Sequence, residues 1–171
     1  MKRIKILALS LFSFFLINAG AQTTPEGFSK GSIVLADGSS HSGFIKDNMK
    51  KSASVVFMSS TEKKKSYDGS ALSSIEVEGT KYICIGGDFF KVVCAGETSL
   101  VQKASDASGK LMFNGSETVA ASGTTGKPGN YFTYHTNDKS LNLIESKNAD
   151  SEIAKNFPDC KAATATASAA K

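Results

Sequence analysis

The segment Gly31-Ser-Ile-Val-Leu-Ala36, followed by Asp37-Gly38 and His41-Ser-Gly-Phe-Ile-Lys46, has the form of a β-hairpin. Its first arm is apolar and rich in β-branched residues, which fit a pleated, half-buried surface. Asp37-Gly38 is a preferred pair for a two-residue type I′ turn, where both central residues need positive φ. The second arm returns with Phe44 and Ile45 apolar and His41 exposed.

The same grammar repeats toward the C-terminus. Ala53–Met58 is a strand centred on Val55-Val-Phe57, and a polar stretch containing Lys63-Lys-Lys65 leads to Tyr67-Asp68. Ala71–Glu78 fits either a helical turn or a strand. Lys81–Ile85, a turn at Gly86-Gly87-Asp88 and Phe89–Cys94 make a second hairpin, and Thr98–Lys103 follows Gly96. Leu111–Phe113, Thr118–Ala121, Tyr131–Thr136 and Leu141–Ile144 are further strands. Ser122–Asn130 holds three Gly and one Pro and reads as a mobile loop. Ala149–Phe157 has Ile153, Ala154 and Phe157 at helical spacing, with Asp150 or Ser151 as N-cap and Pro158 as the stop. Short strands separated by turn residues predict a mainly β fold: an antiparallel sandwich, roll or barrel built from hairpins, with a short C-terminal helix.

The first 21 residues form a unit of a different kind. Lys2, Arg3 and Lys5 precede an apolar run from Ile6 to Ile17, and Ala19-Gly-Ala21 supplies small residues before Gln22. This is the pattern of a cleavable signal peptide, with the cut between Ala21 and Gln22. The apolar run falls short of the roughly 20 residues a helix needs to span a bilayer. The expected organisation is a signal peptide over 1–21, an extended leader over 22–29, one β-rich domain over 30–160, and a disordered Ala/Thr/Ser tail over 161–171. An exported chain, periplasmic or extracellular and without a membrane span once cut, follows from this reading.

Charge narrows the function. The whole chain carries net +4, but three of its 20 basic residues lie in the signal, leaving 17 basic against 16 acidic residues. Arg3 is the only arginine, so the mature chain has none. Bidentate grips on phosphate favour Arg, and a near-neutral, Arg-free domain is a poor nucleic-acid binder. The Lys63-Lys-Lys65 cluster reads as a solvated loop or strand end. Cys84, Cys94 and Cys160 are an odd set, so at least one thiol stays unpaired within a chain. Cys84 and Cys94 read as small apolar residues on strands. A hairpin turning at Gly86-Gly87 sets Cys84 opposite Phe89–Lys91, which argues against a bridge between Cys84 and Cys94.

No catalytic, metal or cofactor motif emerges. Gly123-Thr-Thr-Gly-Lys127 is too short for a phosphate loop, and Pro128 stands where Ser or Thr would reach a metal ion. His41 and His135 are the only histidines, too few to form a three-ligand zinc site by themselves. Glu76 and Glu78 share a face if their segment is a strand, which leaves a paired-carboxylate hydrolase as an alternative. Tyr131, Phe132 and Tyr134, beside the 122–130 loop, are a candidate binding surface for sugar.

The run Lys30–Lys46 resembles the opening of a group of uncharacterised exported proteins of the Bacteroidota. There the pattern is Gly-x-Ile-x-Leu-x-Asp/Asn-Gly followed by Gly-x-Ile, matched here by Gly31 to Gly38 and by Gly43 to Ile45. Val55-Val-Phe57, Lys81-Tyr82, Phe89-Phe-Lys-Val92 and Tyr131-Phe132 continue the likeness over roughly residues 30–145. The resemblance implies an exported β-rich protein and transfers no catalytic or ligand residues. The expected function is a binding or interaction module of the cell envelope, without enzymatic activity or cofactor, whose partner is an envelope protein or glycan. The alternatives are a hydrolase using His135 or Glu76/Glu78, and a structural or stress-related envelope protein. Unpaired strand edges offer one route to a partner.

Overall fold

The computed structural model describes residues 24–59, 63–113, 118–145 and 147–160. The signal-peptide reading, with Ala19, Ala21 and Gln22, and the 161–171 tail lie outside the described residues.

Ten strands form one antiparallel sheet. In chain order they are β1 (Ser29–Leu35), β2 (Ser40–Asp47), β3 (Ser54–Met58), β4 (Lys65–Asp68), β5 (Leu72–Val77), β6 (Thr80–Ile85), β7 (Asp88–Cys94), β8 (Thr98–Lys103), β11 (Tyr131–His135) and β12 (Leu141–Leu143). Between β8 and β11, β9 (Leu111–Phe113) and β10 (Thr118–Ala120) pair as a separate ribbon. The spatial order is β12-β11-β8-β7-β6-β5-β1-β2-β3-β4, so β12 and β4 are edges and the sheet is an open roll, not a closed barrel. Among the described residues there are two helices, α1 (Met49–Ser52) between β2 and β3 and α2 (Ala149–Asn156) near the C-terminus.

Strand alternation gives the sheet two distinct faces. On the first face, Ile33, Ile45, Val55, Phe57, Leu72, Ile75 and Phe89 pack into one buried cluster with Met49 of α1. Side chains from β3 and β7 meet there because the sheet curls. The residue after β4, Gly69, lies so close to the β6–β7 turn that a Cβ on it would collide with the Gly87 carbonyl oxygen. Farther along the same face, Leu100, Ile144, Ile153 and Cys160 form a second cluster under α2. The second face buries Phe90, Val101 and Phe132, with the Phe90 and Phe132 rings edge-to-face at 5.3 Å.

The turns correct one expectation. Of Asp37 and Gly38 only Gly38 has positive φ, at 88°. The Gly38 amide donates to the Leu35 carbonyl and the Leu35 amide to the Ser39 carbonyl. This is a three-residue loop, a type I turn closed by a left-handed glycine, not the two-residue type I′ turn. The Asp37 carboxylate takes the Ser39 amide at 2.8 Å, which holds Asp37 in its ordinary conformation. Positive φ at both central residues occurs instead at Glu78-Gly79 and Gly86-Gly87. In the latter hairpin Cys84 stands opposite Phe89, as its register requires.

Ala71–Glu78 resolves as a strand except for its end: Glu78 sits in the turn at φ 48°. It therefore does not continue the strand face of Glu76. The C-terminal helix forms, but its N-cap is Asn148, not Asp150 or Ser151. The short α1 has no apolar periodicity to announce it. Asp47 starts it by accepting the Met49 amide at 2.7 Å, and Ala53 ends it at φ 45°. Ala53 is fully buried against Ala107, so only a small side chain fits the space.

A bulge rearranges the cysteines. Val92 pairs with Val101, but Cys94 pairs with Leu100, so Val93 is the extra residue. Regular alternation would leave Cys94 on the second face. The bulge moves it to the first face, where it bonds to Cys160, with Cα atoms 5.9 Å apart. Cys94 is thus half of a disulfide and not simply an apolar strand residue, while Cys84 is free.

Candidate functional site

A cavity of about 440 Å³ opens on the first face between the two apolar clusters, lined by Lys50, Tyr82, Lys91, Gln102, Lys103, Ala104, Pro128 and Gly129. Its floor is a register row. Tyr82 on β6 stands opposite Lys91 on β7, Lys91 opposite Gln102 on β8, and Gln102 opposite Tyr131 on β11. Direct cross-strand neighbours point to the same side. With strands about 4.8 Å apart, the four residues make a polar and aromatic band roughly 14 Å long.

Two surrounding elements shape the walls. Lys50 comes from α1, which the packing of Ala53 on Ala107 holds in place. Pro128 and Gly129 occupy the middle of a tight turn in which the Asn130 amide donates to the Lys127 carbonyl. Gly129 has φ 98°. Pro then Gly with positive φ is the order a type II turn demands. Gln102 ties the turn to the floor by donating its side-chain amide to the Gly129 carbonyl at 3.0 Å.

The cavity's charge is unbalanced. Lys50 and Lys91 are exposed and have no carboxylate within ion-pair distance among the described residues. Asp47 is the acid nearest Tyr82 in effect: burial first, and the Asp47 charge second, raise the Tyr82 phenol above its ordinary pKa. Tyr82 therefore remains an O–H donor at neutral pH.

Lys103 contributes to the wall, but its ammonium points to the opposite face. There it donates to Asp88 at 3.1 Å and to the carbonyls of Thr124 and Gly126 at 2.7 and 3.0 Å. Asp88 also accepts from the Ser105 hydroxyl, the Ala107 amide, and the amide and hydroxyl of Thr124. Both side chains are wholly buried. This network fastens Thr124 and Gly126, so the segment read as a mobile loop is a clasp around a buried lysine.

The residues singled out from sequence are dispersed. Phe132 is fully buried on the second face, and Tyr134 packs partly buried beside it. Tyr131 points the other way, into the flank of the α2 cluster and the end of the polar row. The three do not form one aromatic platform, because neighbouring strand residues alternate sides. His135 contacts the hydroxyl of its cross-strand partner Thr98 at 2.9 Å. His41 lies exposed near Phe57. Glu76 is exposed on the second face, separate from both histidines. No group of three or more His, Cys, Asp or Glu suited to a metal occurs among the described residues. Burial pushes the free Cys84 thiol up to about 12, so it is not a thiolate at neutral pH.

Sequence reasoning missed Lys50, Tyr82, Lys91 and Gln102 as a set. They come from four elements: strand register aligns Tyr82, Lys91 and Gln102, and the packing of α1 adds Lys50. No family model matches the chain, and neither curated proteins nor solved structures yield a match. Among the described residues no helix is long and apolar enough to cross a membrane.

Proposed function

We propose that the protein is an exported binding module of the cell envelope and that its working surface is the first-face cavity. The observation that carries this reading is the polar row Tyr82–Lys91–Gln102 at the floor of a concavity whose exposed lysines, Lys50 and Lys91, have no carboxylate within ion-pair distance among the described residues. A volume of about 440 Å³ lies within the roughly 300–1,000 Å³ range of small-ligand sites. Export rests on the signal pattern before Gln22. The sheet edges support partner binding less. β12 has three residues, and β4 has four and carries Lys65. Short, charged edges discourage strand addition.

A hydrolase is the second reading, and the Thr98–His135 contact is what favours it. Fractionation and incubation with isolated envelopes separate the two. The binding module is expected in the exported fraction with Gln22 at its N-terminus, and the purified mature protein is expected to sediment with envelopes without releasing fragments. Retention in the cytoplasm or failure to sediment overturns the proposal. Release of fragments that stops in His135→Ala supports the hydrolase.

A further inference from the structure

We infer that the cavity takes a carboxylated saccharide, a uronic-acid unit within a short sugar chain; this rests on the reading of the cavity as the binding surface. The floor strands are interior, so β6, β7 and β8 each pair on both sides and their backbone groups are committed to the ladder. A ligand on this face meets side chains alone. That disfavours an extended acidic peptide, which gains its affinity from main-chain pairing at an edge.

What the face does offer matches a charged sugar. Tyr82 presents an aromatic ring with a protonated hydroxyl, and Gln102 keeps a carbonyl oxygen and a second N–H beyond its bond to Gly129. Those groups exchange hydrogen bonds with ring hydroxyls, while the ring covers C–H surface. Lys50 and Lys91 flank them from two elements. Their ammonium groups suit a carboxylate carried by the sugar unit. The chain's one arginine is Arg3, before the mature start, so the site has no guanidinium fork for phosphate. The row continues past Gln102 to Tyr131, giving the band a direction along which a second sugar unit lies.

The test titrates the purified mature protein with a galacturonate oligosaccharide, the neutral galactose oligosaccharide of equal length, free galacturonate, inorganic phosphate and polyglutamate. The oligouronate is expected to bind at least tenfold more tightly than the neutral chain and than free galacturonate, with phosphate and polyglutamate weaker still. Lys91→Ala and Gln102→Ala each lose about tenfold or more, whereas Lys81→Ala, on the other face, keeps wild-type affinity. Equal binding of neutral and acidic chains, or an unchanged Lys91→Ala, overturns the assignment, as does preference for phosphate or polyglutamate. Binding of free galacturonate as tight as the oligomer overturns the extended-chain part. Envelope sedimentation that persists while oligouronate fails to bind removes the saccharide assignment and leaves the binding module standing. Loss of both removes both.

Discussion

Lys103 and Lys91 stand one strand apart and face opposite ways. Lys103 is sealed: its three N–H donors go to Asp88, Thr124 and Gly126, and the carboxylate it meets is satisfied in turn. Lys91 is exposed, with Tyr82 and Gln102 as register neighbours and no acid within ion-pair distance among the described residues. Both lysines are carried by ordinary alternating strands. The difference lies in what covers each face. Ser105, Ala107, Thr124 and Gly126 enclose the Lys103–Asp88 pair, whereas Lys91 lies on the cavity between two apolar clusters. One lysine holds loops together, and the other is available to a ligand.

The sharpest way to break this contrast is to remove the carboxylate. Asp88→Ala leaves a buried ammonium without its counter-charge, and losses of about 3–5 kcal/mol follow from stranding one partner of a buried pair. Adding Lys103→Met should restore part of that loss, though not all, because the amides of Ala107 and Thr124 also rely on Asp88. Denaturant midpoints of the wild type, single and double variants measure it. A midpoint for Asp88→Ala equal to wild type would show that the pair is not the clasp described.

The next effect concerns the far end of the open face. The Cys94–Cys160 bond closes 66 residues of chain and ties down the segment after α2. Its loss in Cys94→Ser/Cys160→Ser should cost about 2–4 kcal/mol, with amide exchange rising first in α2 and around Ile144 and Ile153. A reductant should reproduce the shift in the wild type and do nothing to the double variant. Cys84 should meanwhile stay unlabelled by iodoacetamide at neutral pH until the protein unfolds, since its thiol sits at about 12. Labelling of folded protein at the rate of a free thiol contradicts that burial.

A third substitution probes the other side of the comparison. Lys91→Ala changes an exposed side chain that has no ion pair among the described residues, so its effect on stability should stay within about 0.5 kcal/mol. Paired with Asp88→Ala, it separates a lysine that holds the fold from one that does not. A loss as large as that of Asp88→Ala would make Lys91 structural and remove the basis for a binding role.

Sequence patterns reached the architecture because its signals are local. Alternating apolar runs and paired glycines report on strands and turns within a dozen residues. They placed the β1–β2 and β6–β7 hairpins, the opposition of Cys84 and Phe89, and the helix near Ile153. They misassigned the Asp37-Gly38 turn, because Asp-Gly serves two turn types and the side-chain bond to Ser39 selects between them. They did not pair Cys94 with Cys160, since the bulge that reorients Cys94 depends on β8. They read Asp88 as a turn residue and Lys103 as a strand end. Nothing near either residue reveals the partner, because the ion pair and the cavity floor are both products of register.

One local signal was present and went unread. Asp37-Gly-Ser39, Asp68-Gly-Ser70, Asp106-Ala-Ser108 and Asp138-Lys-Ser140 share the spacing Asp-x-Ser, and in each the carboxylate accepts the serine amide, at 2.8, 2.9, 3.0 and 2.9 Å. The motif lets a short side chain organise a turn. For Asp37 and Asp106 the serine hydroxyl, then the serine amide, holds the carboxyl below its ordinary value of 3.8, and for Asp138 the amide acts first. A lowered folded-state pKa favours the folded protein above the unfolded value, and that contribution disappears as pH falls from about 4 through the lowered values. These groups are at the surface, where solvent screens them, so the effect is small. Replacing Ser39, Ser108 and Ser140 together by Ala should lower the urea midpoint slightly at pH 7, where the contribution is present, and leave it nearly unchanged in strong acid, where it is lost, so the variant declines less below pH 4. Parallel declines in variant and wild type would mean that the turns hold without their carboxylates. Acid sensitivity would then belong to other groups.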